Sequence, residues 1–436
     1  MWKIVTIVAL NMLIYAKTIN CRYVSDDLST YHHPPKWKNK AHKWWLWVLA
    51  QYKFREKYDR LMTIFIHSLV SVFIYLAFGA NQVSFLAALL FSCNPANNQA
   101  SIWISGRGYA LATLLLLISL YSPFTAPLTL WGCAYFNIGF LAPLALIGSN
   151  KAYLLCLMPP IWWFWWKRFK HDVVLKATHE SIIEDATFKP KKLILAIKTI
   201  GFYLTLAVIP FRITFYHSFL QSCAGNNIMK KRAYSLCKFF WIGLSVIIIW
   251  VYFSLKQWNI ATYGMLWFFI TIAPFSNIRR VQQEIAERYI YMANVGLTVA
   301  LASIIVNYPI LIAIFMTIYI TRLYTIFRMY VDDFWLIEAA VYEDPGAWYA
   351  WHIRGFKRWD NQSFREAITM WVMAYMLSPK EFKVLFNIAV ALKVMHRDEE
   401  STKYLKLAEE NIVEGQEKDA KCFIDDYKAG KFPLII

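Results

Sequence analysis

The chain has 436 residues, 58% hydrophobic and 18% aromatic, against roughly 45–50% apolar in an ordinary soluble domain. At about 20 apolar residues per crossing, that is material for ten or eleven spans and a modest soluble part. A soluble globular enzyme, a disordered chain and a single-pass receptor are excluded.

The net charge of +18 is unevenly spread. Residues 331–436 hold 18 acidic and 14 basic side chains, a net of −4, while residues 1–330 hold 10 and 32, a net of +22. A basic surface beside lipid favours anionic headgroups or a phosphate-bearing ligand. Nucleic acid is a poor partner, because the charge flanks apolar runs and no binding module is present.

Hydropathy predicts spans over 3–20, 61–79, 81–93, 108–121, 127–147, 151–166, 199–215, 239–255, 259–274, 292–307 and 309–329. The first run reads as a span or as a cleaved signal peptide. Lys167, Arg168, Lys170, Lys189, Lys191, Lys192 and Lys198 bracket the 167–198 loop and place it on the cytoplasmic side. Counting spans from there puts 21–60, 216–238, 275–291 and the C-terminal region outside. The cations Lys36, Lys38, Lys40, Lys43, Lys230, Lys231 and Arg232 then fall outside too, so either the topology is inverted or they serve anions at the outer face. Residues 1–330 are therefore expected to form the membrane domain and 331–436 an outward-facing helical domain.

Of the seven cysteines, Cys93, Cys133 and Cys156 lie in apolar runs and read as packing residues, while Cys223 and Cys237 flank one loop and have the option of pairing. No metal-ligand spacing is present.

In the soluble part, Trp351, Gly355, Ala367, Trp371, Ala374 and Pro379 take the large, small, small, large, small and proline positions of a tetratricopeptide repeat. Adding 34 gives Leu385, Ala389, Ser401, Leu405 and Ala408 at the first five positions. The alternative is an amphipathic helical cap with no partner.

Three clusters bear chemistry. Asp26 and Asp27 follow the first span in Tyr23-Val-Ser-Asp-Asp-Leu28; two acids so near hydrocarbon serve water-filled space or a cation, or mark a solvated turn. Asn94-Pro95 ends a short apolar run, and polar residues lead on to Ile104-Ser-Gly-Arg-Gly108. There glycines admit close backbone approach and Arg107 offers a donor fork matched to phosphate; the plain alternative is an interfacial anchor. Pro274-Phe-Ser-Asn-Ile-Arg-Arg280 is followed by Glu284 and Ala286-Glu-Arg-Tyr-Ile-Tyr291, bringing Arg279, Arg280, Arg288 and two glutamates into one outer loop. Surface pairing of Glu284 with Arg280 is the competing explanation. Together the clusters set carboxylates and four arginines on one face. Such a set suits sugar transfer from a lipid phosphate, with a base for the acceptor hydroxyl and cations for the leaving phosphate.

The order of Val24-Ser-Asp-Asp27, Asn94-Pro-Ala-Asn-Asn-Gln-Ala-Ser-Ile-Trp-Ile-Ser-Gly-Arg107, Ala273-Pro-Phe-Ser-Asn277, Glu287-Arg-Tyr-Ile-Tyr291 and then the repeats resembles the transmembrane and tetratricopeptide-repeat O-mannosyltransferases. These belong to the C-type superfamily of polyprenyl-phosphate-sugar-dependent glycosyltransferases (GT-C), and the resemblance runs from about residue 20 to 410. It implies an all-α, polytopic fold of about eleven transmembrane helices with a C-terminal tetratricopeptide-repeat region. It implies a dolichyl- or undecaprenyl-phosphate sugar donor, usually mannose, and a Ser/Thr hydroxyl of a protein as acceptor. An aspartate of the first outer loop is the base in such enzymes, which carries over to Asp26 or Asp27, with Asp26 favoured. Arg107, Arg279, Arg280 and Arg288 map onto donor-phosphate contacts, and Glu287, Tyr289 and Asn94 onto residues shaping the site. No tightly bound cofactor is expected, and a divalent ion at the acid pair is left open. The repeats are expected to present an acceptor or partner protein. Lean loops point to a bacterial cytoplasmic membrane, with the endoplasmic reticulum as the alternative. Competing functions are the same chemistry on a surface glycan or lipid, an inactive scaffold, and a lipid-linked oligosaccharide transporter. The last calls for midplane charges and inverted repeats, which the sequence lacks.

Overall fold

The computed structural model describes residues 1–27, 55–136, 141–163, 191–218, 235–278, 283–412 and 417–435. Among them every regular element is helical. Residues 214–218, 235 and 337–435 form one compact unit and the other described residues a second.

Six helical stretches in the larger unit are long and apolar enough to cross a membrane: Trp2–Asn20, Glu56–Ala77, Ile104–Tyr121, Lys238–Lys256, Glu287–Ile305 and Pro309–Tyr330. The chain is a helical membrane protein. Other expected spans are shorter or broken. Gln82–Cys93 has 12 residues, roughly 18 Å of helix against a hydrocarbon core of about 30 Å. The run 127–147 is a helix over Ala126–Tyr135 and a 3-10 segment over Ala142–Gly148, with residues 137–140 outside the described set. Pro143 at the start of the second piece has no N–H to continue a regular helix. The expected span 199–215 begins earlier, as Lys191–Val208, and stops ahead of Pro210.

The elements that carry the site are α1 (Trp2–Tyr15), α2 (Glu56–Ala77), α3 (Gln82–Cys93), α4 (Arg107–Tyr121), α5 (Ile260–Ile272) and α6 (Ile290–Ile305). Helices α5 and α6 cross through paired glycines. A Cβ on Gly264 would meet the Gly296 carbonyl oxygen at 2.5 Å, and one on Gly296 would meet that of Gly264 at 2.2 Å. Small residues at such crossings let backbones approach where lipid supplies no hydrophobic drive. Side-chain polar groups tie the remaining helices together. Asn11 donates to the Ser92 hydroxyl at 2.9 Å, Ser92 to that of Ser71 at 3.0 Å, and the Tyr291 hydroxyl lies 2.7 Å from His67 Nδ1. All five side chains are buried.

The smaller unit is built from α7 (Trp348–Asp360), α8 (Phe364–Leu377), α9 (Phe382–Val394), α10 (Asp398–Glu410) and α11 (Glu417–Lys428). Helices α7 and α8 meet where Gly355 faces the Trp371 indole. A Cβ on Gly355 would sit 2.3 Å from Trp371 Nε1, which donates to the His352 carbonyl at 3.0 Å. The positions 34 residues on, Ala389 and Leu405, are buried as well. The two turns also match. Gln362 and His396 both adopt positive φ, of 60° and 59°. Ser363 N–H reaches back to the Arg358 carbonyl and Arg397 N–H to that of Leu392, each at 2.9 Å. Both are helix ends closed by a left-handed residue and a six-to-one hydrogen bond, repeated at the spacing of the side-chain pattern.

Trp371→Ala is expected to cost about 3–5 kcal/mol, the range for truncating a buried tryptophan, in chemical unfolding of the full chain. A loss under about 1 kcal/mol would show that the Gly355–Trp371 contact does not hold the helix pair.

Candidate functional site

The segment after the first span is pinned before it reaches its acids. Arg22 N–H donates to the Val331 carbonyl at 3.0 Å, Tyr23 N–H to Glu56 Oε1 at 3.0 Å, and the Tyr23 hydroxyl to Asp59 Oδ2 at 2.7 Å. Burial and the neighbouring Asp59 carboxylate hold that hydroxyl well above its ordinary pKa, so it remains a donor. Ser25 then takes a left-handed conformation, φ 54°, with its N–H on Asp333 Oδ1 at 2.6 Å. A non-glycine residue there is held at a cost of about 1–3 kcal/mol and marks sites the surroundings over-determine. The turn splits the acid pair. Asp26 is exposed, whereas Asp27 is buried and its Oδ1 accepts from Ser105 N–H at 2.8 Å and Ser105 Oγ at 2.5 Å.

Ser105 belongs to the second cluster, which folds as a compact, irregular stretch between α3 and α4. Asn94 fixes its start: Oδ1 accepts from Ala96 N–H and Nδ2 donates to the Ala207 carbonyl, each at 2.9 Å. Gly106 is required by contact, since a Cβ there would lie 1.8 Å from the Gln99 carbonyl oxygen. Arg107 opens α4 fully buried. It pairs with Asp59 Oδ1 at 3.1 Å and donates also to the Asp59 carbonyl at 3.1 Å and Thr63 Oγ1 at 3.2 Å. Its guanidinium thus serves an internal ion pair. Next to Asp59, buried Arg60 donates to the carbonyls of Arg22 and Ile102, binding the first cluster to the second.

The third cluster enters from the start of α6. Glu287 is buried and accepts from Asn98 Nδ2, and the Asn98 side-chain oxygen accepts from the Tyr330 hydroxyl. Arg288 donates twice to Gln99 Oε1, through its backbone N–H and Nη1, each at 3.3 Å. The guanidinium lies 5.5 Å from the Trp103 ring centre and 5.1 Å from that of Tyr289, at cation–π range. Tyr289 is stacked on Phe275 at 4.4 Å. Unlike Arg107, Arg288 has no carboxylate within ion-pair distance among the described residues. Asn277 of the same loop adopts φ 64° and donates to the Glu284 carbonyl at 2.8 Å. Arg279 and Arg280 lie outside the described residues.

The three clusters share one locus. Asp27 bonds to Ser105, the Trp103 indole donates to the Val24 carbonyl at 3.3 Å while facing Arg288, and Asp26 acts electrostatically on Arg288. An exposed carboxylate thus belongs to the same locus as a buried cation that has no carboxylate at ion-pair distance among the described residues. Sequence reasoning missed Asp59, Arg60, Asn98, Gln99, Tyr330 and Asp333. Asp59 and Arg60 sit just ahead of the apolar run beginning at Leu61, in the first turns of a helix that starts at Glu56. Among the described residues no three His, Cys, Asp or Glu side chains gather as metal ligands. Cys237 is a free thiol, and Cys223 lies outside the described residues.

Breaking the Asp59–Arg107 pair from one side, by Asp59→Asn or Arg107→Met, is expected to cost about 3–5 kcal/mol because it strands a buried charge. The Asp59→Asn/Arg107→Met double variant should lose less than the two singles together, read from unfolding midpoints of the detergent-solubilised chain. Strict additivity would rule out the pair as a structural tie.

No protein-family model matches this chain, and no curated protein or solved structure is found similar to it.

Proposed function

We propose that the chain is an inverting, membrane-embedded glycosyltransferase that moves a sugar, mannose in the first instance, from a polyprenyl or dolichyl phosphate to a Ser/Thr hydroxyl of a protein at the outer membrane face. The observation that supports it is buried Arg288, with no carboxylate at ion-pair distance among the described residues, beside the Trp103 ring that bonds the segment carrying Asp26 and Asp27. The six long apolar helices and the shorter ones between them are taken as parts of an eleven-span GT-C-type bundle. The smaller unit is taken as a short tetratricopeptide-repeat array that presents the acceptor. A bacterial cytoplasmic membrane suits the lean loops.

In this reading Asp26 is the base. It takes the proton of the acceptor hydroxyl as the oxygen attacks the anomeric carbon. The bond from that carbon to the phosphate oxygen breaks, and polyprenyl phosphate departs with the electron pair. One displacement without a covalent enzyme intermediate inverts the anomeric centre. Arg288 offsets the charge arriving on the phosphate, with Arg279 and Arg280 as further contacts. Asp27, fixed by Ser105, positions the turn that carries Asp26. Arg107 acts one step back, through Asp59. Glu287, Tyr289 and Asn94 shape the walls. No tightly bound cofactor enters the scheme.

The decisive assay follows label from lipid-linked mannose to a Ser/Thr peptide pool. Asp26→Asn is expected to lower transfer by about 10²–10⁴, the usual contribution of a general base, at unchanged expression. Arg288→Ala is expected to raise the lipid-donor requirement at least tenfold. Undiminished transfer by Asp26→Asn would overturn its role as base. Transfer only to glycans would move the acceptor class, and a wild-type chain with no transfer from any lipid-linked sugar would leave a scaffold.

A further inference from the structure

Gln99 is fully buried beside Arg288, and its two amide atoms have opposite fates. Oε1 accepts both the backbone N–H and the Nη1–H of Arg288. Nε2 is buried with no hydrogen-bond partner. Exchanging the two amide atoms does not resolve this, because Nε2 would then face two N–H donors of Arg288. The orientation is set by Arg288, and the donor is left over.

Orphaned buried donors are rare in folded proteins and call for an explanation such as strain, a catalytic role, or a bound water, ion or ligand. Here the orphaned donor stands beside a guanidinium. Nε2 is covalently close to Oε1, which itself contacts Arg288, so any group reaching Nε2 also stands near the guanidinium. Arg288 has no carboxylate at ion-pair distance among the described residues, and the rings of Trp103 and Tyr289 cover it at 5.5 and 5.1 Å. A neutral amide donor next to a guanidinium with no carboxylate at contact suits an anionic oxygen that accepts from both. Aromatic walls favour a group whose remainder is apolar.

We infer that Gln99 is a binding residue for a phosphoryl group, its Nε2 donating to a phosphoryl oxygen that Arg288 also contacts. This rests on the proposed function and goes beyond it by giving the site a second, uncharged donor. Gln99 then has two tasks, holding Arg288 through Oε1 and reading the ligand through Nε2, and Gln99→Glu separates them. The glutamate keeps acceptors for Arg288 and places a negative charge where the donor was.

The test is equilibrium binding of radiolabelled decaprenyl phosphate to the full chain in lipid nanodiscs, with inorganic phosphate as competitor. Wild type should bind, and Gln99→Glu should bind at least tenfold more weakly at an unfolding temperature no lower than wild type. Gln99→Met, which removes both tasks without adding charge, should also weaken binding and is the readout if the glutamate variant does not fold. Equal affinity in wild type and Gln99→Glu, or in Gln99→Met if only that folds, would overturn the Nε2 contact while leaving lipid-phosphate binding intact. A wild-type chain that binds neither decaprenyl nor inorganic phosphate would overturn the inference and the reading beneath it. Displacement by inorganic phosphate, with the same loss in the variant, assigns the contact to the phosphate group alone. Failure to displace, with that loss, assigns it to a phosphate carried on a prenyl chain.

Discussion

The Asp59–Arg107 ion pair is the tie on which the start of α2 and of α4 depends. It joins two segments 48 residues apart at the first turns of two apolar helices, with essentially no access to solvent on either side. Asp59 also accepts from Tyr23, and its neighbour Arg60 reaches the carbonyls of Arg22 and Ile102. One buried acid and one buried arginine thus align the segment after the first span with the stretch leading into α4. Burying charge is costly unless each ion is paired and hydrogen-bonded, and here both conditions are met. The arrangement leaves Asp27 on Ser105 and turns Asp26 outward.

Two arginines that look alike in the sequence do different work. Arg107 is paired with an internal carboxylate, whereas Arg288 is held by an amide and aromatic faces, with no carboxylate at ion-pair distance among the described residues. A buried guanidinium without a contact ion pair is open to an anion. The site thus sets an exposed carboxylate and a buried guanidinium on the same side of the Trp103–Val24 bond.

Much of this was legible in the residues. Apolar runs gave the helical class, and Asp26–Asp27, Ser105–Arg107 and Glu287–Tyr289 were singled out by charge beside hydrocarbon. The 34-residue spacing of Gly355 and Trp371 with Ala389 and Leu405 reappears in the matched turns at Gln362 and His396. Other features were hidden for physical reasons. Hydropathy starts α2 at Leu61, because an averaging eye treats Asp59 and Arg60 as a polar boundary when the helix has already begun. Amides carry no charge signal, so Asn98 and Gln99 stand in the quoted motif without a role of their own, although they grip Glu287 and Arg288. Pairing across the chain leaves no periodic trace, and only the fold could show which carboxylate Arg107 would meet.

The glycine crossing of α5 and α6 has a bearing on more than packing. Helix α6 begins directly after Glu287-Arg-Tyr289, so whatever sets its height sets theirs. Backbones that touch at Gly264 and Gly296 leave no room for one rod to slide along the other. The crossing thus fixes where Arg288 stands relative to α5, since α6 starts within one turn of it.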